Sequence, residues 1–416
     1  MKLEFGIGSS VQAVEVKDNN VIDVLMANEV EKDLTDEAEV LRSLENPIGS
    51  KRLRDIVSGG KKIAIITSDI TRPVPTYRIM PALLDELYAG GVDKRDITLV
   101  FALGSHRNHT KEEWEKLAGE RAAKEIKFED SNQSGFVHIG YTANGTPVDI
   151  NKTVADADVR ICLGNVEYHY FAGYSGGAKA IMPGVSTRDA IQKNHSLMVD
   201  PRACAGNIVD NPIRKDIEEA ADMVGVDFIV NVVLDEHKHI VHAAAGDVTF
   251  AHREACSYLD KMYLKKIPCR ADIVMVSQGG APKDLNLYQT QKALDNAKHA
   301  VKKGGVVILI GSCKEGLGEK TFEEWMTAAE TPESLIERIG KEFKLGGHKA
   351  AAIAMVLQNA DIYLVSDLEP EFVKTIFMTP FATVEEAYKA AKQKLGEDAT
   401  VLAMPYGGST LPRAEE

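Results

Sequence analysis

The chain has 416 residues, 44% hydrophobic and 27% charged, which is the balance of a globular protein long enough for two or three domains. A formal charge of −13 makes nucleic acid and anionic membrane poor partners, and no apolar run reaches the roughly 18 residues of a membrane span. Residues 1–6 lack the apolar core of a signal peptide, and the five cysteines (Cys162, Cys204, Cys256, Cys269, Cys313) are scattered without a Cys-x-x-Cys pair. Reduced thiols, a cytoplasmic location and no cysteine-built zinc site are therefore expected.

Apolar runs at 62–67, 97–102 and 159–163 read as buried strands, with amphipathic helical patterns at 77–88 and 111–117 between them. That alternation predicts a parallel sheet covered by helices. Residues 228–234 and 239–244 predict a hairpin, followed by a helix opening near Gly246 and Asp247. After 265–270 the pattern restarts, with strands at 273–276, 305–310, 362–365 and 400–403 and helices at 284–303 and 349–358. The predicted fold is thus two α/β domains, 1–268 and 269–416, with mainly parallel sheets and the active site in the cleft between them. The tail, 409–416, is expected to be loose.

Polar clusters follow the predicted strands: Ser68-Asp69-Ile70-Thr71-Arg72, Gly104-Ser105-His106-Arg107, Gly164 to His169, and Ser277-Gln278-Gly279-Gly280. Open parallel sheets bind ligands beyond the carboxyl ends of their strands, so this convergence marks a site. The segment from His169 to Lys179 adds a glycine-rich loop delivering one amine, flanked by His169 and His195. A lysine so placed can hold phosphate, pair with carboxylate or bond to a carbonyl carbon, and imidazoles move protons or bind metals. The run Ala178-Lys179-Ala180 lacks the glycine and hydroxyl of a nucleotide phosphate loop, which argues against an ordinary NTPase.

Other polar residues divide by context. Asp69 with Arg72, stiffened by Pro73 and Pro75, suits an anionic ligand held in one pose. His106 follows a glycine-led turn, whereas His109 reads as a surface residue. His237, His239 and His242 lie across a polar hairpin tip, which favours a structural role over metal binding. His348 reads as a structural contact at a helix start. Gln289 and Lys292 share one helix face and could grip a carboxylate or simply face solvent. Gly6-x-Gly8 lacks the third glycine of a dinucleotide fingerprint, and the loop from Gly311 to Gly316 ends without a lysine.

Taken in order, Ser68 to Pro73, Gly104 to Arg107, Gly173 to Lys179 with His195, Gly346 to Ala350 and Met404 to Gly408 resemble the lactate racemase family, the nickel-pincer enzymes that racemise or epimerise 2-hydroxy acids. The resemblance spans nearly the whole chain. It implies a pyridinium mononucleotide cofactor whose two thio-acyl groups clasp nickel, joined to the protein through Lys179. It further implies His195 as the nickel ligand, His106 and His169 as the acid/base pair, Asp69, Ile70, Thr71 and Arg72 as cofactor contacts, and Gln289 and Lys292 as substrate-carboxylate contacts. Enzymes of cofactor synthesis and nickel insertion are then expected partners.

The implied chemistry is coherent. The α-hydrogen of a 2-hydroxy acid is very weakly acidic, so its removal as hydride, with a base taking the hydroxyl proton, is the easier route. Two bases serve the two configurations, and a cation retains the planar keto acid between steps. Lactate-specific members carry a tryptophan in the second domain; none follows Trp325 here, and Ala350, Ala351 and Ala352 leave room for a larger 2-hydroxy acid. Two other readings are a nicotinamide-dependent dehydrogenase, which the absence of Gly-x-Gly-x-x-Gly opposes, and a non-catalytic cofactor carrier, which has no use for an acid/base pair.

Overall fold

The structure, a computed structural model, describes residues 1–30, 33–72, 74–104, 106–235 and 237–415. Pro73 and Ser105 of the motifs above lie outside the described residues. The chain folds into two α/β units: Val30–Lys261, and Met1–Glu29 together with Met262–Glu416.

In the Val30–Lys261 unit a six-stranded sheet runs in the order Ile240–Gly246, Phe228–Leu234, Val159–Asn165, Ile63–Ser68, Ile97–Ala102, Lys127–Asp130. All neighbours are parallel except the first pair, an antiparallel hairpin as expected from sequence. Its central strands are apolar on both faces because helices cover both. Leu83, Leu84 and Leu87 of the Thr76–Ala89 helix pack with Ile65, Leu99 and Phe101 in one core. The polar segments following Ile63–Ser68, Ile97–Ala102 and Val159–Asn165 therefore leave the same edge of three adjacent strands.

The second unit holds an all-parallel sheet ordered Thr379–Phe381, Ala360–Val365, Val301–Ile310, Ala271–Ser277, Val401–Met404, Val21–Val24. Its last strand corrects the division at residue 268. Val21–Val24 pairs with Val401–Met404, and Leu3, Phe5 and Val14 of the amino-terminal hairpin join the core of Ile273, Met275 and Val306. Which sheet edge Val21–Val24 joins, and which core the hairpin packs on, are set by burial at long range.

Two other expectations change. The helix predicted at 284–303 is Leu287–Ala297: Asn286 caps it by accepting the Gln289 N–H at 3.0 Å, and the chain turns into a strand at Val301. The tail is ordered, because Leu411–Ala414 pairs in parallel with Leu264–Ile267 and buries Leu411. No helix among the described residues is long and apolar enough to cross a membrane.

Candidate active site

At the end of Ile63–Ser68 the chain turns back on Asp69, a buried carboxylate. One of its oxygens accepts the Thr71 N–H at 3.0 Å and the Thr71 hydroxyl at 2.6 Å, while the other accepts from His106 Nδ1. Burial works to raise the Asp69 carboxyl, but the hydrogen bond and charge of His106 outweigh it and hold the group below the usual carboxylate range. A carboxylate can only accept, so Nδ1 of His106 carries a proton, and in the neutral form of the ring the lone pair lies on Nε2.

Sequence reading misplaced His109. Its side chain is only 1% exposed and bridges two elements. Nδ1 donates to Asp130 at 2.6 Å, and Nε2 accepts the N–H of Ile70 at 3.1 Å. Asp130 is wholly buried and also accepts from Trp114 Nε1 at 2.9 Å and the His109 N–H at 2.9 Å. The peptide between Asp69 and Thr71 is thereby tied to the edge strand Lys127–Asp130, two strands away from Ile63–Ser68.

The glycine loop is held from several sides. Tyr168–His169 pairs with Gly173–Tyr174, and the Ser175 hydroxyl donates to the Asn165 carbonyl at 2.8 Å while accepting the Glu167 N–H at 2.8 Å. Asn231 of the Phe228–Leu234 strand accepts the Gly177 N–H at 2.8 Å, and His252 donates from Nε2 to the Ser175 carbonyl at 2.8 Å. Gly176 and Gly177 have φ of +75° and +58°. A Cβ on Gly176 would meet Asn231 Oδ1 at 2.6 Å, and one on Gly177 would meet the His252 ring at 2.8 Å. Only glycine gives both the turn and the close approach. The result is a short 3-10 turn, Gly177–Ala180, carrying Lys179.

Arg214, fully buried, is the electrostatic centre of this loop. Nε donates to the Ala172 carbonyl at 3.2 Å and Nη2 to the Tyr174 carbonyl, leaving Nη1 without a hydrogen-bond partner among the described residues. Burial lowers its pKa to about 10. The Lys179 amine is pushed well below the usual lysine range by burial, then by the charges of Arg214 and Arg72. Although Lys179 keeps some accessible surface, protein crowds its amine, and the shift runs in the direction of the neutral, nucleophilic form.

His169 is likewise held well below the usual range by burial, then by Lys179, His195, Arg72 and Arg214. Its Nδ1 accepts the Ala172 N–H at 3.2 Å, so the proton of the neutral ring lies on Nε2, opposite to His106. His169 and His195 flank Phe171, with ring centroids 4.4 and 4.8 Å from it. The loop thus brings together Lys179, His169, His195 and Arg72, all foreseen from sequence, with Arg214, Asn231 and His252, which were not. Nothing local marks those three: each is a single polar residue on the buried face of an ordinary helix or strand.

In the other unit Gln289 and Lys292 lie on the Leu287–Ala297 helix, with Gln289 half-buried and Lys292 exposed. Gln278 donates to the Gln289 carbonyl at 2.9 Å, tying that helix to the end of Ala271–Ser277. His348 accepts the Gly346 N–H at 3.0 Å, in keeping with a structural role. Among the described residues no group of three or more His, Cys, Asp or Glu side chains is placed to hold a metal. In the histidine-rich hairpin, His239 instead pairs with Asp36 at 2.9 Å and His242 stacks on Tyr258 at 4.2 Å.

Known proteins match this chain over nearly its whole length. Residues 7–206 match the model of the lactate racemase N-terminal domain, and residues 266–411 that of the lactate racemase C-terminal domain. The chain is 34% identical over 423 aligned positions to the lactate racemase of Thermoanaerobacterium thermosaccharolyticum, covering 99% of each. It is 34% identical over 385 positions to that of Lactiplantibacillus plantarum, covering 90% of each. The lactate racemase apoprotein structure from T. thermosaccharolyticum superposes with a TM-score of 0.88, over 99% of this chain and 100% of that one. A Thermotoga maritima protein, 20% identical, shares the fold with a TM-score of 0.64 over 93% of this chain and 100% of its own.

Proposed function

Because the chain belongs to the lactate racemase family and is an isomerase, we propose that it inverts the C2 centre of a 2-hydroxy acid by removing and returning hydride, using a nickel-pincer nucleotide bound through Lys179. The observation that carries this reading is the Lys179 amine itself. It is delivered by a turn that only glycine can make and is shifted in the direction of its neutral form beside buried Arg214.

The residues present fit that group. A neutral amine can bond to an acyl carbon, Arg72 and Arg214 supply positive charge for a phosphate, and one imidazole, His195, supplies a ligand of the borderline kind that nickel accepts. Asp69, Ile70, Thr71 and Arg72 complete the cofactor contacts. When bound, the group would supply an acceptor that takes hydride from C2 and returns it to either face.

The chain's own residues supply the proton chemistry. His106, with Nδ1–H held by Asp69, presents Nε2 as the base for the substrate hydroxyl. His169 enters with the opposite tautomer and presents Nε2–H to the reacting oxygen. The two rings therefore begin as acceptor and donor: His106 takes the hydroxyl proton as hydride leaves C2 and returns it when hydride arrives on the other face, while His169 holds the reacting oxygen through Nε2–H. To serve as base for the opposite configuration, His169 would first shift its single ring proton to Nδ1 and release the Ala172 N–H. Gln289 and Lys292 hold the substrate carboxylate and keep the planar keto acid from leaving. A small 2-hydroxy acid as substrate, enzymes of cofactor synthesis and nickel insertion as partners, and a cytoplasmic location belong to the same proposal.

The test is intact-mass spectrometry with metal analysis on protein produced alongside the cofactor-synthesis enzymes. The expected result is an adduct localised to Lys179 with bound nickel, abolished in Lys179→Ala, and turnover of one or more chiral 2-hydroxy acids. His106→Ala and His169→Ala should keep the adduct and lose turnover, an outcome a mere carrier would not give. Unmodified, nickel-free wild type beside a loaded control protein would overturn the cofactor assignment.

A further inference from the structure

The helix Arg188–His195 ends on Asn194 and His195, and both side chains are buried. Asn194 Nδ2 donates to the Asp216 carboxylate at 2.7 Å and faces the Ile213 carbonyl at 3.4 Å. Neither partner can donate, so the amide has one possible orientation: nitrogen toward Asp216, oxygen toward His195. Asn194 Oδ1 then lies 2.9 Å from His195 Nδ1. An amide oxygen only accepts, so His195 must carry its proton on Nδ1 and keep its lone pair on Nε2.

Asp216 is itself immobilised. It is fully buried in the Pro212–Val224 helix and also accepts from the hydroxyls of Thr142 at 2.5 Å and Thr146 at 2.8 Å, and from Asn144 Nδ2 at 3.3 Å. These three donors come from the turn joining Phe136–Tyr141 to Pro147–Asn151. Four donors on one carboxylate leave it no freedom to rotate, and the order is passed through Asn194 to the imidazole.

We infer that Asp216 and Asn194 are positioning residues that fix His195 as the Nδ1–H tautomer and so present Nε2 as its metal-binding nitrogen. This rests on the reading of His195 as the nickel ligand. A ligating histidine whose second nitrogen is anchored gains both orientation and basicity, and loss of such an anchor typically costs about 10- to 100-fold in metal affinity.

The tautomer is read directly by nitrogen-15 NMR of the histidine rings of apoprotein at mildly alkaline pH, where the imidazole is neutral, with His195→Gln identifying the resonance. The wild type should show protonated Nδ1 and bare Nε2. Asn194→Ala, which removes the acceptor and leaves Asp216 its three donors from the turn at 142–146, should move the proton toward Nε2. Asp216→Asn, which lets the Asn194 amide turn over, should give a mixture. In cofactor-loaded protein, Asn194→Ala should form the Lys179 adduct at wild-type yield but bind nickel about 10- to 100-fold more weakly. A wild-type ring protonated at Nε2 would overturn the inference, as would an Asn194→Ala protein with unchanged tautomer and nickel affinity. A wild-type Lys179 adduct without nickel, beside a ring protonated at Nδ1, would overturn the ligand role itself while leaving the tautomer in place.

Discussion

Replacing His109 by leucine tests whether the Asp69–Arg72 segment needs its anchor on Asp130. Leucine keeps most of the buried volume and removes both ring nitrogens. Asp130 loses the 2.6 Å hydrogen bond from Nδ1 but keeps three donors, Trp114 Nε1, the His109 N–H and Asn108 Nδ2. A hydrogen bond to a charged group contributes about 1.5–3 kcal/mol, and the retained donors place this loss at the lower end. The Ile70 N–H loses its 3.1 Å acceptor and, being on a half-buried residue, is partly recovered by water, for about another 0.5–1 kcal/mol. The expected destabilisation is therefore about 2–3 kcal/mol, read as a lower urea midpoint at unchanged slope.

A functional effect should follow, because Asp69 is one residue from the released peptide and sets the His106 ring. Slack of the order of 1 Å at a proton acceptor costs on the order of 100-fold in rate, so kcat should fall by about 10- to 100-fold with Lys179 loading intact. Loss of stability with wild-type kcat would reduce His109 to a packing residue. Wild-type stability and wild-type kcat together would refute the argument entirely.

Gly177→Ala combines a left-handed backbone with a 2.8 Å clash against the His252 ring. It should cost about 2–4 kcal/mol in urea unfolding and impair Lys179 loading, while Gly60→Ala, at φ +83° but with open space around the new methyl, should cost about 1–2 kcal/mol; equal costs would discount the clash. Glu39, buried and bound to Arg42 and the Ala243 N–H, has its carboxyl lowered from 4.5 to about 2: burial opposes the shift, and Arg42, His242 and the backbone overcome it. A folded-state value below the unfolded one stabilises at pH above about 4.5 and loses that effect as pH falls toward 2, so Glu39→Gln should be about 2–3 kcal/mol less stable at neutral pH and approach the wild type in acid. A gap independent of pH in urea titrations would contradict this.

What the amino-acid sequence determined by itself was the local grammar: apolar runs of strand length, amphipathic helices between them, and polar clusters where the strands end. Those patterns suffice because a doubly covered parallel strand must be apolar throughout and its ligand-facing residues must follow it. Lys179, His169, Asp69, Arg72 and His106 could be singled out as candidates for that reason, each standing beside a glycine turn or strand end, whereas His195 closes a helix and was singled out by its place after the glycine loop. Only the tertiary structure decided which polar residues elsewhere support them. Arg214, His252, Asn231, His109 and Asp216 reach the site through side chains buried on otherwise ordinary elements, and their partners lie tens of residues away in the chain. The same holds for the amino-terminal strand Val21–Val24, whose place beside Val401–Met404 depends on which sheet edge offers burial and unpaired peptide groups. Local patterns record what a segment can form; the partner that satisfies a buried charge or a free strand edge is set by long-range packing, which no short stretch of sequence encodes.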